Sequence, residues 1–98
     1  MSQHVFRINS LEIVMGYDTI LDYVFCTVFS PFAKTDKEYM PYSNFDDPHA
    51  GTHQQDVRYF KEKLAELGLK VPDSMYREVE VDQRERNGRR EMEHFLDV

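Results

Sequence analysis

The stretch from Leu11 to Phe29 constrains the fold of this chain more than any other. It contains two apolar runs, Leu11–Tyr17 and Tyr23–Phe29, with a short polar-ended segment at 18–22 between them. Val, Ile, Phe and Tyr are frequent in both runs, and these side chains suit the pleated surface of a β-sheet. The pattern therefore predicts a β-hairpin whose loop is residues 18–22.

The register of this hairpin decides which side chains are buried. With Tyr17 opposite Tyr23, Met15 faces Phe25 on a large aromatic face, which we predict to be the core. The other face carries small apolar side chains that no predicted helix covers: Val14, Val24, Cys26 and Val28. Because contiguous exposed apolar surface usually marks a contact, we predict that these four residues form a self-association face. The C-terminal tail is the alternative cover.

The remainder of the chain predicts one more strand and two helices. Residues Glu38–Asn44 read as a strand, and Pro41 places it at a sheet edge. Helix one is indicated by apolar residues at helical spacing, which are Val57, Phe60, Leu64 and Leu67. Thr52 and Gln55 have the spacing of a capping box at its start, and Gly68 suits its end. Helix two carries the narrower stripe Met75, Tyr76 and Val79.

These elements predict an α+β fold. The sheet is an antiparallel three-stranded meander of order β-β-β-α-α, with the two helices packed on one of its faces. A length of 98 residues indicates one domain. We assign it to residues 1–88 and treat residues 89–98 as a C-terminal tail.

Charge and composition restrict the function. The net charge of −6 argues against general nucleic-acid binding and suits a basic protein partner. No apolar run is long enough to predict a membrane span. Cys26 is a lone cysteine and the N-terminal residues do not resemble a signal peptide, so we expect a cytoplasmic protein.

The loop from Asn44 to His53, together with the tyrosines before it, is the main candidate site. Tyrosine is common at contact surfaces because its ring is rigid and its tip is polar. The residues predicted to bind a ligand or partner are Tyr39, Tyr42, Asn44, Asp46, Asp47, His49 and His53. The alternative interpretation is a plain turn that leads into a helix cap. His49 and His53 lie on either side of Gly51, unlike a metal-binding helical pair, so we predict no metal site and no cofactor.

Two weaker patterns complete the sequence. The segment Gln83–Arg90 carries four arginines, which fit an RNA backbone, an acidic partner or a solvated helix end. The four glycines are isolated and no motif frames a serine or cysteine nucleophile, so we predict no catalytic residues.

The sequence therefore favours a small cytosolic interaction or regulatory protein that acts by protein–protein binding. It leaves open whether the partner is a second copy of the chain, which would make a homodimer. The alternative is a small-molecule or metal-binding domain, with or without weak enzymatic activity, centred on the Asn44–His53 loop.

Overall fold

The structure is a computed structural model that describes residues 1–8, 10–30, 41–48 and 56–95. Its elements in chain order are β1 (Ser2–Ile8), β2 (Leu11–Asp18), β3 (Tyr23–Phe29), β4 (Tyr42–Ser43), α1 (Val57–Glu66), α2 (Asp73–Glu85) and β5 (Arg90–His94). The strands form one sheet in the order β4-β3-β2-β1-β5. Strand β5 runs parallel to β1, and the other pairs are antiparallel.

The α+β class is confirmed, but the sheet is larger than predicted. The expected meander is present as β2, β3 and β4, with β4 at one edge as Pro41 indicated. Strand β4 covers Tyr42–Ser43 of the predicted Glu38–Asn44, and residues 38–40 lie outside the described residues. Strand β1 is an additional strand, because Ser10 adopts a left-handed φ of 67° and the chain reverses there. Residues 90–94 were predicted as part of a tail, but they form β5 at the other edge. This strand has no apolar pattern in the sequence, because Arg90, Glu91 and Glu93 are charged. Charged side chains of this kind are typical of strands at sheet edges.

The predicted hairpin register is wrong by one residue. Asp18 pairs with Tyr23, Tyr17 with Val24 and Met15 with Cys26. Asp18 is the last residue of β2, and its Oδ1 accepts hydrogen bonds from the backbone N–H groups of Ile20 and Leu21 at 2.9 and 3.1 Å. The loop is therefore one residue shorter than expected, and the slip exchanges the two faces of β3.

This register removes the predicted self-association face. Val24, Cys26 and Val28 are buried in the core beneath the helices, together with Ile13, Met15 and Tyr17. Val14 pairs with Thr27 on the opposite face of the sheet. Phe25 also lies on that opposite face, where its ring covers Gly16. The four residues therefore do not form one surface.

Both helices pack on the same face of the sheet, as predicted. Their buried residues join the sheet residues in one cluster: Val57, Phe60, Leu64, Met75, Tyr76 and Val79. Gly68, at a φ of 77°, follows α1 as expected, and the bonds from Gly68 N to Ala65 O and Leu69 N to Leu64 O form a Schellman motif.

The start of α1 differs from the prediction. Asp56 is the N-cap, and its carboxylate accepts a hydrogen bond from the Tyr59 backbone N–H at 3.1 Å. The described helix thus begins later than a cap at Thr52 would place it, and Thr52 and Gln55 themselves lie outside the described residues. Within the part of the chain that the structure describes, neither helix is long and apolar enough to cross a membrane.

Candidate functional site

The structure brings together four of the seven predicted binding residues. Tyr42, Asn44, Asp46 and Asp47 lie in β4 and the turn that follows it. Three others, Tyr39, His49 and His53, are outside the described residues.

Asn44 attaches this turn to the sheet. Its backbone N–H donates to the Cys26 carbonyl at 3.0 Å, and its Oδ1 accepts from the Cys26 N–H at 3.2 Å. Asn44 is buried, and its side chain replaces a neighbouring strand where β4 ends. Its role is therefore to fix the position of the turn.

Asp47 connects the turn to α1. Its Oδ2 accepts hydrogen bonds from the hydroxyls of Tyr42 at 2.8 Å and Tyr59 at 2.7 Å. Burial and the bond to this carboxylate raise the pKa of Tyr59 to about 12, and the pKa of Tyr42 is raised further by the same causes. Both hydroxyls therefore stay protonated and continue to donate at neutral pH.

A groove lies between this turn and the C-terminal end of α1, and we call it the β4–α1 groove. It has a volume of about 470 Å³ and is lined by Pro41, Tyr42, Ser43, Asp46, Asp47, Pro48, Lys63, Glu66 and Leu67. Phe45 lies between Ser43 and Asp46 in the sequence, and 75% of its surface is exposed. The groove therefore combines apolar walls with exposed carboxylates at Asp46 and Glu66.

A second cluster, which the sequence did not predict, lies inside the molecule. It is a chain of hydrogen bonds through residues of β1, β5 and α2. Ser74 Oγ lies 3.0 Å from His94 Nδ1, His94 Nε2 lies 2.9 Å from His4 Nδ1, and His4 Nε2 lies 2.6 Å from Asp82 Oδ2. His4 and Asp82 are fully buried, and His94 is 4% exposed. We call this chain of four residues the histidine relay.

Asp82 anchors the buried end of the relay as a carboxylate. Burial alone would raise its pKa, but hydrogen bonds from His4, Asn87, Arg90 and Ser2 outweigh burial and lower the pKa to about 2. The Asn87 amide and the Arg90 guanidinium each reach Asp82 Oδ1 at 2.8 Å. The charge of this carboxylate is therefore compensated by direct partners, as a buried ion requires.

Arg90 belongs to the segment Gln83–Arg90, which was considered as a patch for an RNA backbone or an acidic partner and, alternatively, as a solvated helix end. Its guanidinium instead bonds Asp82 and reaches Glu78 Oε2 at 2.6 Å. This arginine therefore holds β5 against α2, and it is committed to contacts within the chain.

The proton positions along the relay follow from the ionised carboxylate when His4 is neutral. Asp82 can only accept, so a neutral His4 carries its proton on Nε2 and presents a lone pair at Nδ1. His94 then donates from Nε2 and keeps a lone pair on Nδ1. Ser74 consequently donates its hydroxyl proton to a neutral imidazole. Burial lowers the pKa of His94, which favours the neutral form of this imidazole at pH 7.

Ser74 is the end of the relay that reaches the surface. It lies in the first turn of α2 and lines an open cavity of about 640 Å³. The cavity is also lined by the side chains of Lys61, Lys70 and Arg77, and by apolar residues that include Leu69 and Phe95. The relay therefore connects a buried carboxylate to a hydroxyl at the wall of a cavity.

This cluster was not predicted from the sequence because its members are far apart in the chain. His4 and His94 are 90 residues apart, and His94 fell in the predicted tail. One signal was present: Asp82 follows Met75 and Val79 at helical spacing on the buried stripe of α2. A carboxylate at an apolar position of a helix indicates a buried partner.

Comparisons with known proteins add no assignment: no family model, no curated protein and no solved structure matches this chain. Among residues 1–8, 10–30, 41–48 and 56–95, no group of three or more His, Cys, Asp or Glu side chains is arranged to hold a metal ion.

Proposed function

We propose that this chain is a small interaction protein that binds an extended segment of a partner protein in the β4–α1 groove. The observation that carries the proposal is the exposure of Phe45, whose large apolar side chain is 75% accessible in the turn that contributes Asp46 and Asp47 to the groove. Exposed aromatic side chains next to a concave surface are typical anchors of protein contacts.

The turn that presents Phe45 is held by many hydrogen bonds. Ser43 Oγ accepts from the Phe45 backbone N–H at 3.3 Å, and the Asp46 N–H donates to the Ser43 carbonyl at 3.1 Å. Asn44 and Asp47 add the bonds to β3 and α1 described above. Because the turn is already ordered, binding does not have to order it, and this reduces the entropic cost of association.

The charge of the groove indicates the kind of partner. Asp46 and Glu66 line it, and Lys63 is partly neutralised by Glu66 at 3.3 Å. The whole chain carries a net charge of −6, so a second copy would be repelled electrostatically. A partner segment with one large apolar side chain flanked by Lys or Arg would complement the groove.

Selection of peptides from a random displayed library against the purified protein tests this function. We expect the enriched peptides to combine an apolar anchor with basic residues. Their affinity should fall at least about tenfold, which is about 1.4 kcal/mol, for Phe45→Asp and for Leu67→Asp. Asp46→Lys should weaken the basic peptides in particular.

The matched control is Ile20→Asp. Ile20 is an apolar residue that is even more exposed, at 91%, but it lies in the β2–β3 loop. Its substitution should leave peptide affinity unchanged. Peptides that bind Phe45→Asp as tightly as the parent, or that lose affinity equally for Ile20→Asp, would refute binding at the groove.

A further inference from the structure

The exposed end of the histidine relay has the arrangement of an activated nucleophile. Ser74 Oγ lies 3.0 Å from His94 Nδ1, and the hydroxyl donates to a lone pair there when His4 is neutral. His94 is oriented by His4, which is oriented by Asp82. A hydroxyl, a neutral imidazole base and a buried carboxylate are the components of serine-based acyl transfer. This relay differs in having a second imidazole between the base and the carboxylate.

We propose that Ser74 is the nucleophile of an ester-hydrolysing site and that His94 is its general base. His4 and Asp82 are positioning residues, since they act through His94. The site uses residues other than those of the β4–α1 groove, so it does not depend on the peptide-binding proposal.

The cavity beside Ser74 indicates the substrate class. Lys61, Lys70 and Arg77 line it, and Asp73 is the acidic residue among its lining side chains. Lys61 lies 3.8 Å from the Asp73 carboxylate, so one positive charge is partly compensated and the cavity remains cationic. In a chain with a net charge of −6, this local excess of positive charge favours an anionic ligand. The substrate class is therefore a small ester that carries a carboxylate.

The reaction needs only the ester and water. Ser74 Oγ forms a bond to the acyl carbon while its proton passes to His94 Nδ1, and His94 then gives that proton to the departing alkoxide. Water attacks the acyl-serine and gives a proton to His94, which returns it to Ser74 Oγ. The products are one carboxylic acid and one alcohol, and the protein is regenerated.

In this proposal, the donors for the oxyanion that forms on the acyl oxygen come from the start of α2. The first-turn N–H groups of a helix, here those of Asp73 and Ser74, have no acceptor within the helix. Pro72, the N-cap, makes no side-chain hydrogen bond to them. Donors that are aimed at developing negative charge stabilise the transition state of acyl transfer.

Two reagents test the assignment on the full chain. A fluorophosphonate should label Ser74, as mapped by mass spectrometry, and should leave the exposed Ser10 unlabelled. Mono-4-nitrophenyl succinate should be hydrolysed faster than the neutral 4-nitrophenyl butyrate. Labelling of Ser10 at the same rate as Ser74 would overturn the proposal, and so would a preference for the neutral ester.

Variants separate catalysis from folding. Ser74→Ala should abolish labelling and ester hydrolysis while its circular dichroism spectrum stays that of the parent. His94→Gln should slow the labelling of Ser74 by about 100-fold, since general-base catalysis contributes at least that factor. If His94→Gln folds and is labelled at the parental rate, the relay is a structural clamp only and the proposal fails.

The pH profile of labelling in the parent is the readout that does not depend on a variant. His94 faces His4 from β1 and Glu78 from α2, with Arg90 on its own strand, and its pKa lies below 6.5. The labelling rate should therefore rise with pH, reach half its maximum below pH 6.5 and be constant at neutral pH. A rate that keeps rising through pH 8 would indicate an unactivated hydroxyl and overturn the proposal.

Discussion

Gly16 is a position in the sheet where a side chain has no room. A Cβ atom there would lie 2.0 Å from the Ser2 carbonyl oxygen and 2.8 Å from Cζ of Phe25. The first neighbour is backbone, and it is held because Ser2 Oγ accepts a hydrogen bond from the Tyr17 N–H at 3.0 Å. Glycine is required here by the close approach of β1, and not by its backbone angles.

We predict that Gly16→Ala lowers the free energy of unfolding by about 3 kcal/mol, because the new methyl group must push β1 away from β2. Urea denaturation measures this change. Gly88→Ala is the matched control, since a Cβ at Gly88 meets nothing within 4 Å. Its effect should stay within about 0.5 kcal/mol. Equal stability of the two variants would show that Ser2 does not approach Gly16 as described.

At the scale of single residues, the sequence predicted several roles from local chemistry. Gly68 was assigned to the end of α1 because a left-handed residue is favoured there, and it has a φ of 77°. Phe60 was assigned to the core by its helical spacing, and it is buried. The polar residues of the relay were not predictable in this way, because a buried histidine is recognised only by partners that are distant in sequence.

The β2–β3 hairpin shows how one residue changes the role of an entire strand. Both strands were predicted correctly from their composition, but their pairing was not. The apolar pattern alone allowed two registers, since both faces of β3 are apolar. Hydrogen bonds from the Ile20 and Leu21 N–H groups to Asp18 select the observed register, and this turn lacks the glycine signal that would have revealed it.

We predict that Val24→Lys unfolds the protein or destabilises it by more than about 4 kcal/mol, because the ammonium group would be buried without a partner. Val24 is 1% exposed beneath the helices. Thr27→Lys is the matched control on the opposite face of the same strand, where Thr27 pairs with Val14. It should be tolerated with a loss below about 1 kcal/mol. A stably folded Val24→Lys variant would contradict the observed register and support the predicted one, in which Tyr17 pairs with Tyr23.

Strand β5 was the element that sequence patterns could least predict. Its exposed side chains are the charged Glu91 and Glu93 and the apolar Met92, and it pairs in parallel with β1 although the two strands are far apart in sequence. What holds it is polar: Arg90 bonds α2, and His94 bonds His4 and Ser74. A hydrophobic pattern therefore could not predict this strand. Because His94 lies in β5, the relay was not predicted either.

On the scale of the whole molecule, the relay joins the two ends of the chain. His4 comes from β1, His94 from β5 and Asp82 from α2, so their hydrogen bonds close the sheet on the helix that covers it. Because these groups are buried and titratable, protonation acts on the stability of the entire domain.

We predict that acid weakens the fold in two stages. The pKa of His94 is lowered below 6.5 in the folded state, so the unfolded chain binds a proton first and stability falls as the pH drops below 6.5. The pKa of Asp82 is lowered from 3.8 to about 2, so the stability it contributes is present above pH 3.8 and is lost as the pH falls towards 2. That second contribution is about 2 kcal/mol.

Urea denaturation at about pH 7.5, 5 and 3 measures both stages, since each change in the free energy of unfolding reflects protons taken up by the unfolded chain. His94→Gln is the informative variant, because it removes the upper titration and leaves Asp82 in place. The variant should be less stable than the parent at neutral pH, and its stability should change less between about pH 7.5 and 5. A parent whose stability rises over that interval would contradict the buried neutral imidazole. An equally steep decline in the variant would assign the upper stage to other groups and remove His94 from the acid response of the domain.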